Sequence, residues 1–182
     1  MTGKKNTMIN DRSLSNSTVT AIMHVPLEKV NIADWLLTLP DAEYQRCSHA
    51  HIAAGTTTDD GRPMSINVET IGDALIVQHY VAEVKEPALC RMVSISDSIT
   101  KNGRIKGKVE WTLSARKIDD QTTEYVNHIH ASATDEFMAF IQEHGITLEQ
   151  AAAARQAASD AHNQEETPNF AASIERHALK QA

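Results

Sequence analysis

Apolar and polar residues change their spacing twice along this chain, and each change indicates a different kind of secondary structure. Residues 17–25 alternate weakly and are rich in β-branched side chains, which predicts a strand. Apolar residues then recur at helical spacing across 27–39, and Pro40 ends that helix. A second short helix is expected at 41–46.

Turn signals divide the next part of the chain into six further strands. The turns are rich in Gly, Asp, Asn and Pro, and Asn102-Gly103 is a strong hairpin signal. The predicted strands lie at 51–58, 63–71, 74–84, 89–100, 105–118 and 122–132. Because the connections are short, neighbouring strands are expected to be antiparallel.

Helical spacing replaces alternation from residue 135 onward. A helix is predicted at 135–144, and a capping box at 147–150 opens a second one. The alanine-rich segment 151–166 continues that helix. Thr167 and Pro168 then read as an N-cap and a first-position proline, which predicts a separate last helix over 169–180.

This order of elements resembles the helix-grip fold of the START, Bet v 1 and polyketide-cyclase superfamily. The resemblance covers residues 17–180. It implies an α+β protein in which a curved antiparallel sheet of about seven strands wraps around a long C-terminal helix and leaves an internal cavity. We therefore expect one domain over 17–182, preceded by a flexible tail at 1–16, where the residues are polar and aperiodic.

Composition excludes several classes of protein. The formal net charge of the 182 residues is -7, which lacks the basic footprint of nucleic-acid binding. No apolar run predicts a membrane span, and the first residues contain no apolar core of a secretory signal. The two cysteines, Cys47 and Cys90, do not make a disulfide framework, so we expect a cytoplasmic protein. A nucleophile made of Cys47 and His49 ranks below a metal site, because nothing in the sequence indicates a lowered thiol pKa.

Nine histidines beside only seven glycines make imidazole chemistry the most informative feature of the sequence. His162 and Glu166 are four residues apart and therefore lie on one face of the C-terminal helix, where they could bind one metal ion. An ordinary solvated pair at a helix end is the alternative. Traced backwards, that face is expected to carry the small residues Ala158, Ala154 and Ala151.

The other histidines of interest lie on predicted strands or where a strand begins. His49 and His51 point the same way if the backbone is extended. They share a metal, only one of them faces inward, or they belong to a polar loop. His79 lies on a strand whose two faces the alternation separates without deciding which is inside. His128 and His130 share one face of the last strand, and the solvent face is favoured over a metal site.

A narrower resemblance concerns the segments 35–37 and 44–51, which are similar to part of the 2,4-diacetylphloroglucinol hydrolase family. In that family a Trp-rich helix precedes a metal-binding His, a strand carboxylate follows, and a His-x-x-x-Glu pair lies on the C-terminal helix. Residues 169–171 also resemble the family, whereas the shorter chain and the interval between Glu83 and His162 depart from it. The resemblance implies four metal ligands: His51, Glu83, His162 and Glu166, with Glu69 or His79 as alternatives to Glu83.

Two imidazoles and two carboxylates suit a divalent metal, so zinc is the expected cofactor, with Mn²⁺ or Fe²⁺ as alternatives. The resemblance implies metal-assisted hydrolysis, or a related lyase or hydratase step, on a small aromatic or cyclic carbonyl compound. The candidate acid–base residues are His79, His128 and His130. Tyr80 or Asn127 could orient a substrate oxygen, and Trp111 could form an aromatic wall or be a plain core residue.

The rival hypothesis is a metal-free helix-grip protein that binds a small hydrophobic or aromatic molecule, or that guides ring closure of a polyketide-like chain by its shape. An interaction module with a vestigial cavity is a third. Convergence of His51, His162 and Glu166 would separate the first two hypotheses. The sequence does not give the oligomeric state, although cavity proteins of this size often form homodimers.

Overall fold

Seven antiparallel strands form one curved sheet in the computed structural model, which describes residues 12–180. Its strand order is β1-β7-β6-β5-β4-β3-β2, so the first and last strands of the chain are neighbours. The strands are β1 Ser13–Met23, β2 His51–Asp59, β3 Arg62–Ile71, β4 Ala74–Glu86, β5 Leu89–Thr100, β6 Gly103–Lys117 and β7 Thr123–Ala133.

The helices lie before and after the run of consecutive strands. A 3₁₀ turn at Leu27–Lys29 and the short helices α1 (Ile32–Thr38) and α2 (Asp41–Cys47) connect β1 to β2. The C-terminal region contains α3 (Asp135–Glu143) and the long helix α4 (Leu148–Lys180). The predicted α+β helix-grip architecture is therefore confirmed.

Burial along β6 shows which face of the sheet is the inner one. Val109, Trp111 and Leu113 are buried, whereas the residues between them are partly exposed. Trp111 lies against Phe170 of α4, with ring centroids 6.0 Å apart. Successive side chains of a strand point to opposite faces, so the same alternation assigns an inner and an outer face to every strand.

Helix α4 is a single helix of 33 residues, so the predicted break before Pro168 is wrong. Proline cannot donate a backbone hydrogen bond to the preceding turn. Nearby, the side-chain amide of Asn169 donates to the carbonyl oxygens of Glu165 (3.0 Å) and Cys47 (2.9 Å). Pro168 itself is exposed, so its ring does not disturb the buried side of the helix.

Short polar contacts hold α4 in register on the sheet. The Ser159 hydroxyl donates to Ser15 Oγ, and the Asn163 amide donates to Ser17 Oγ, both at 3.1 Å. The inner face of α4 thus runs from His162 through buried Ser159 to half-buried Arg155, because residues at i−3 and i−7 share it. Ala154 is exposed, so its predicted place on this face is wrong, whereas Ala158 lines a groove beside His162 and Ala151 packs against the core.

The N-terminal boundary also differs from the prediction. Residues 1–11 of the predicted tail lie outside the described residues, and β1 begins at Ser13, where it pairs with β7. No helix among residues 12–180 is long and apolar enough to cross a membrane. The cytoplasmic location and the homodimer stay predictions.

Candidate metal centre

Four ionisable side chains from β2, β3 and α4 meet in the interior between the sheet and the long helix. We call His51, Glu69, His162 and Glu166 the tetrad. Each offers one ligand atom, these atoms lie within 4.8 Å of one another, and all four residues are buried. The structure therefore brings together three of the four predicted ligands and adds Glu69, which the sequence named as an alternative.

An irregularity in the β2–β3 hairpin brings His51 and Glu69 to the same face of the sheet. Regular pairing runs from the turn to Ala53, which lies opposite Val68, and His51 then lies opposite Glu69. Ile52 is the extra residue of this bulge, and its side chain is exposed. A shift of one residue exchanges the faces of a strand, so regular pairing would have turned His51 away from Glu69.

His51 presents a single ring nitrogen to the other three side chains. Its Nδ1 lies 2.7 Å from the carbonyl oxygen of Tyr44, which can only accept a hydrogen bond, so Nδ1 carries the proton. The Tyr44 ring stacks on the imidazole at a centroid distance of 3.8 Å and holds it in place. Nε2 of His51 is therefore the ring nitrogen directed at the tetrad, an arrangement typical of metal-binding histidines.

Both carboxylates of the tetrad are oriented by hydrogen-bond donors. The Tyr44 hydroxyl donates to Glu69 Oε2 (3.1 Å), and the Asn127 amide donates to Glu166 Oε1 (3.0 Å). Asn127 Oδ1 in turn accepts from Trp111 Nε1 at 2.8 Å. This chain of contacts leaves Glu166 Oε2 facing the two imidazoles.

The four nitrogen–oxygen distances within the tetrad are close to those expected around one tetrahedral cation. His51 Nε2 lies 3.6 Å from Glu69 Oε2 and 3.2 Å from Glu166 Oε2. His162 Nε2 lies 3.1 Å and 3.3 Å from the same two oxygens. Four ligands at about 2.0–2.1 Å from a tetrahedral zinc ion are about 3.3 Å apart. The donor types and their spacing therefore match a divalent ion such as Zn²⁺.

The electrostatic state of the tetrad follows from its burial and its close contacts. Burial by itself would lower the pKa of His162 and raise that of Glu166. Their mutual attraction is stronger, so the pKa of His162 is raised and that of Glu166 is lowered. Burial and the two carboxylates raise the pKa of Tyr44 and of Tyr80. Both tyrosines are therefore neutral hydrogen-bond donors.

Two spaces adjoin the tetrad. A cavity of about 20 Å³ on its inner side is lined by Tyr80, Trp111 and Arg155 among others, and has room for about one water molecule. An open groove of about 370 Å³ lies on the other side, between the β3–β4 turn and α4. Ile71 and His162 line both spaces, so they separate the groove from the interior.

Glu83 does not belong to the tetrad, and its predicted place among the ligands is corrected. Alternation along β4 buries Gln78 and Tyr80 on the inner face and turns His79 and Glu83 to the outer face. Glu83 is half-exposed there and forms an ion pair with Arg91.

The three predicted acid–base histidines also lie on the outer face of the sheet. His79 is on β4, His128 Nε2 lies 2.8 Å from Asn16 Oδ1, and His130 Nε2 lies 3.3 Å from Ser13 Oγ. None of them reaches the tetrad, because the alternation of β4 and β7 turns them away from the interior.

The structure gives no support to a Cys–His nucleophile. Burial raises the pKa of the Cys47 thiol to about 12, and its Sγ donates to the carbonyl oxygen of Glu43 at 3.2 Å. His49 instead lies on the rim of the groove, where its Nδ1 is 2.7 Å from a carboxylate oxygen of Glu165.

Three predicted site residues do face the interior: Tyr80, Trp111 and Asn127 are all buried there. Sequence reasoning missed the roles of Tyr44 and Arg155. The hairpin turn at 60–61 could have indicated Glu69 as a ligand. Strand pairing counted outward from that turn brings Glu69 close to His51. No comparable signal pointed to Arg155, because the inner face of α4 was assigned to the alanines.

Solved structures of other proteins share this architecture. An aromatase/cyclase from Streptomyces sp. R1128 has a TM-score of 0.59 at 10% identity, covering 91% of this chain and 94% of its own. A START superfamily protein from Mycobacterium smegmatis has a TM-score of 0.50 at 12% identity, covering 92% and 99%. Norcoclaurine synthase from Thalictrum flavum has a TM-score of 0.50 at 11% identity, covering 92% and 95%.

No family model and no curated protein matches the chain. The narrower resemblance to the 2,4-diacetylphloroglucinol hydrolase family is not shown by any of these structures. At such low identity the likeness concerns the fold alone. The chain therefore has the helix-grip fold that these structures share.

Proposed function

We propose that this protein binds one divalent metal ion, preferably zinc, at the tetrad and acts on a small aromatic or cyclic carbonyl compound, with hydrolysis as the reaction class. The observation that carries this proposal is the convergence of four buried ligand atoms, whose nitrogen–oxygen distances are 3.1–3.6 Å. Two buried carboxylates close together are costly unless a cation balances them.

Each residue of the site has a specific part in this proposal. The tetrad would hold the ion, which would polarise a carbonyl group and lower the pKa of a water molecule when its coordination expands to admit one of them. Tyr44 and Asn127 orient the two carboxylates, and neutral Tyr80 can donate a hydrogen bond to a substrate oxygen. Ile71 restricts access of water from the groove.

The test is metal analysis of the protein purified without added metal, repeated on two variants. We expect about one equivalent of zinc or manganese in the native protein and in His128→Ala, whose histidine lies on the outer face. His162→Ala should contain none. Absence of metal from all three proteins, with no uptake on zinc titration, would contradict the proposal.

A metal-free ligand-binding or cyclase-like function is the second candidate. The likeness to an aromatase/cyclase supports it better than it supports a hydrolase. The groove of about 370 Å³ has a suitable size, since small-molecule sites occupy about 300–1,000 Å³. In that case an aromatic ketone such as acetophenone should bind equally well before and after treatment with a chelator. Binding only by the metal-loaded protein would exclude this second candidate.

A further inference from the structure

We propose that the substrate of this site carries a carboxylate and that Arg155 binds it. This inference rests on the proposed metal function, because the charge of the bound ion is part of the argument. It adds the substrate class, a carbonyl compound with an acidic group, to the reaction proposed above.

Arg155 lies on the inner face of α4, about two helical turns before His162. It lines the small cavity beside the tetrad together with Tyr80 and Trp111. It also lines a second cavity of about 60 Å³, whose walls include Ile76 and Phe137 and are mostly apolar. Its guanidinium therefore stands between the candidate metal centre and an apolar space.

Arg155 differs from every other arginine in residues 12–180. The other seven each pair with a carboxylate of this chain: Arg12, Arg46, Arg62, Arg91, Arg104, Arg116 and Arg176. In the same part of the chain, no hydrogen bond or ion pair within 4.0 Å joins Arg155 to a carboxylate. Burial lowers its pKa, and the more distant attraction of Glu69 opposes that shift only in part.

The charges of the interior show why this matters. A divalent cation would balance the carboxylates of Glu69 and Glu166, with both histidines neutral. The positive charge of Arg155 would then have no counter-ion. The loaded site therefore requires an additional anion, because a guanidinium held in the interior without a partner is unfavourable.

The guanidinium of Arg155 is planar and can donate two parallel hydrogen bonds. A carboxylate is the anion that best matches this geometry, because its two oxygens can accept both. A substrate held in this way could place its carbonyl group towards the tetrad and a short apolar substituent in the second cavity. Tyr80, which lines the same small cavity, would be an additional donor.

The experiment compares propionate with propionamide, which have nearly the same shape and differ in charge. Binding to zinc-loaded, ¹⁵N-labelled protein is followed by the indole N–H signals of its two tryptophans. Trp111 lines the cavity, whereas Trp35 donates to Ser173 elsewhere and serves as an internal reference. We expect propionate to bind about tenfold to a hundredfold more tightly, the range given by one charge-assisted hydrogen-bonded pair.

Arg155→Gln should reduce this preference to about one while zinc content stays at one equivalent. Arg104→Gln removes an exposed arginine of the outer face and should leave the preference unchanged. Arg155→Lys keeps the positive charge but cannot donate two parallel hydrogen bonds, so its preference for propionate should be intermediate. This variant keeps the test decisive where Arg155→Gln folds poorly.

The outcomes separate the two proposals. Zinc uptake with equal binding of the two probes, or with an unchanged preference in Arg155→Gln, overturns the carboxylate site and leaves the metal centre standing. Failure to bind zinc overturns both, because the carboxylate site is argued from a metal-loaded tetrad. Absence of any propionate binding by the loaded protein also overturns the inference.

Discussion

The inner and outer faces of the sheet carry similar polar residues and give them different roles. On β7, Asn127 points inward and orients Glu166, while its neighbour His128 points outward and contacts Asn16. On β4, Tyr80 lines the cavity, while His79 faces out. The comparison teaches that residue type alone does not identify a site. Burial and a second polar contact distinguish the residues of the interior.

The largest effect is expected from removing a carboxylate on the inner face. Glu166→Ala should abolish zinc binding and destabilise the protein by about 3–5 kcal/mol, because it removes a buried carboxylate that contacts Asn127 and both imidazoles and leaves a cavity. Denaturant unfolding and metal analysis measure both effects. Glu83→Ala on the outer face is the matched control and should change stability by less than about 0.5 kcal/mol. Equal losses in the two variants would remove the distinction between the faces.

Removal of the metal should come next in size. A ligand that binds only the folded protein stabilises it by about 4 kcal/mol when its free concentration is about 1,000 times the dissociation constant. Zinc should therefore raise the melting temperature of the native protein and of His130→Ala, which lies on the outer face. His51→Ala should show no zinc-dependent rise. A rise in that variant equal to the native one would place the ion elsewhere.

A smaller effect is expected from the side chains that orient the ligands. Trp111→Phe removes the donor that holds Asn127, and Asn127→Ala removes the donor to Glu166. Each should weaken zinc binding by about 10–100-fold, as is usual for groups that contact a metal ligand. Competition with a zinc-binding dye gives the affinity. His128→Ala should keep native affinity, and a comparable loss there would contradict the assignment.

The smallest effect concerns an ion pair of the outer face. Arg104 hydrogen-bonds Asp97 and lowers the pKa of that carboxyl group, so the pair stabilises the fold at pH values above the unfolded pKa. The contribution is lost as the pH falls through the lowered pKa. Asp97→Asn should cost less than about 1 kcal/mol in neutral buffer and nothing in strong acid. A cost that grows on acidification would show that the sign is wrong.

Local patterns along the chain were sufficient for most of the fold. Alternation and turn residues located all seven strands, and the capping box at Thr147 and Gln150 is present, with both of its hydrogen bonds. The pattern failed at Pro168, where a proline on the exposed side of a helix does not end it. Propensity describes a residue in isolation, whereas the buried contacts of Thr167 and Phe170 keep the helix continuous.

The site was predicted less completely than the fold. The spacing of His162 and Glu166 defines one helix face without any tertiary information, and His51 was recognised from the residues around it. Glu69 was named only as an alternative, because its position depends on the bulge at Ile52. Glu83 was chosen because alternation separates two faces and cannot say which one is covered.

The elements, their order and the helical half of the candidate site could thus be predicted from local patterns, since they depend on residues close together in the chain. Three features became clear only from the folded molecule: which sheet face is inside, that Glu69 completes the tetrad, and that Arg155 pairs with no carboxylate among residues 12–180. These features depend on a one-residue shift in strand pairing and on the rotation of α4 against the sheet. Both are set by packing between segments that are distant in sequence, and no local pattern records them.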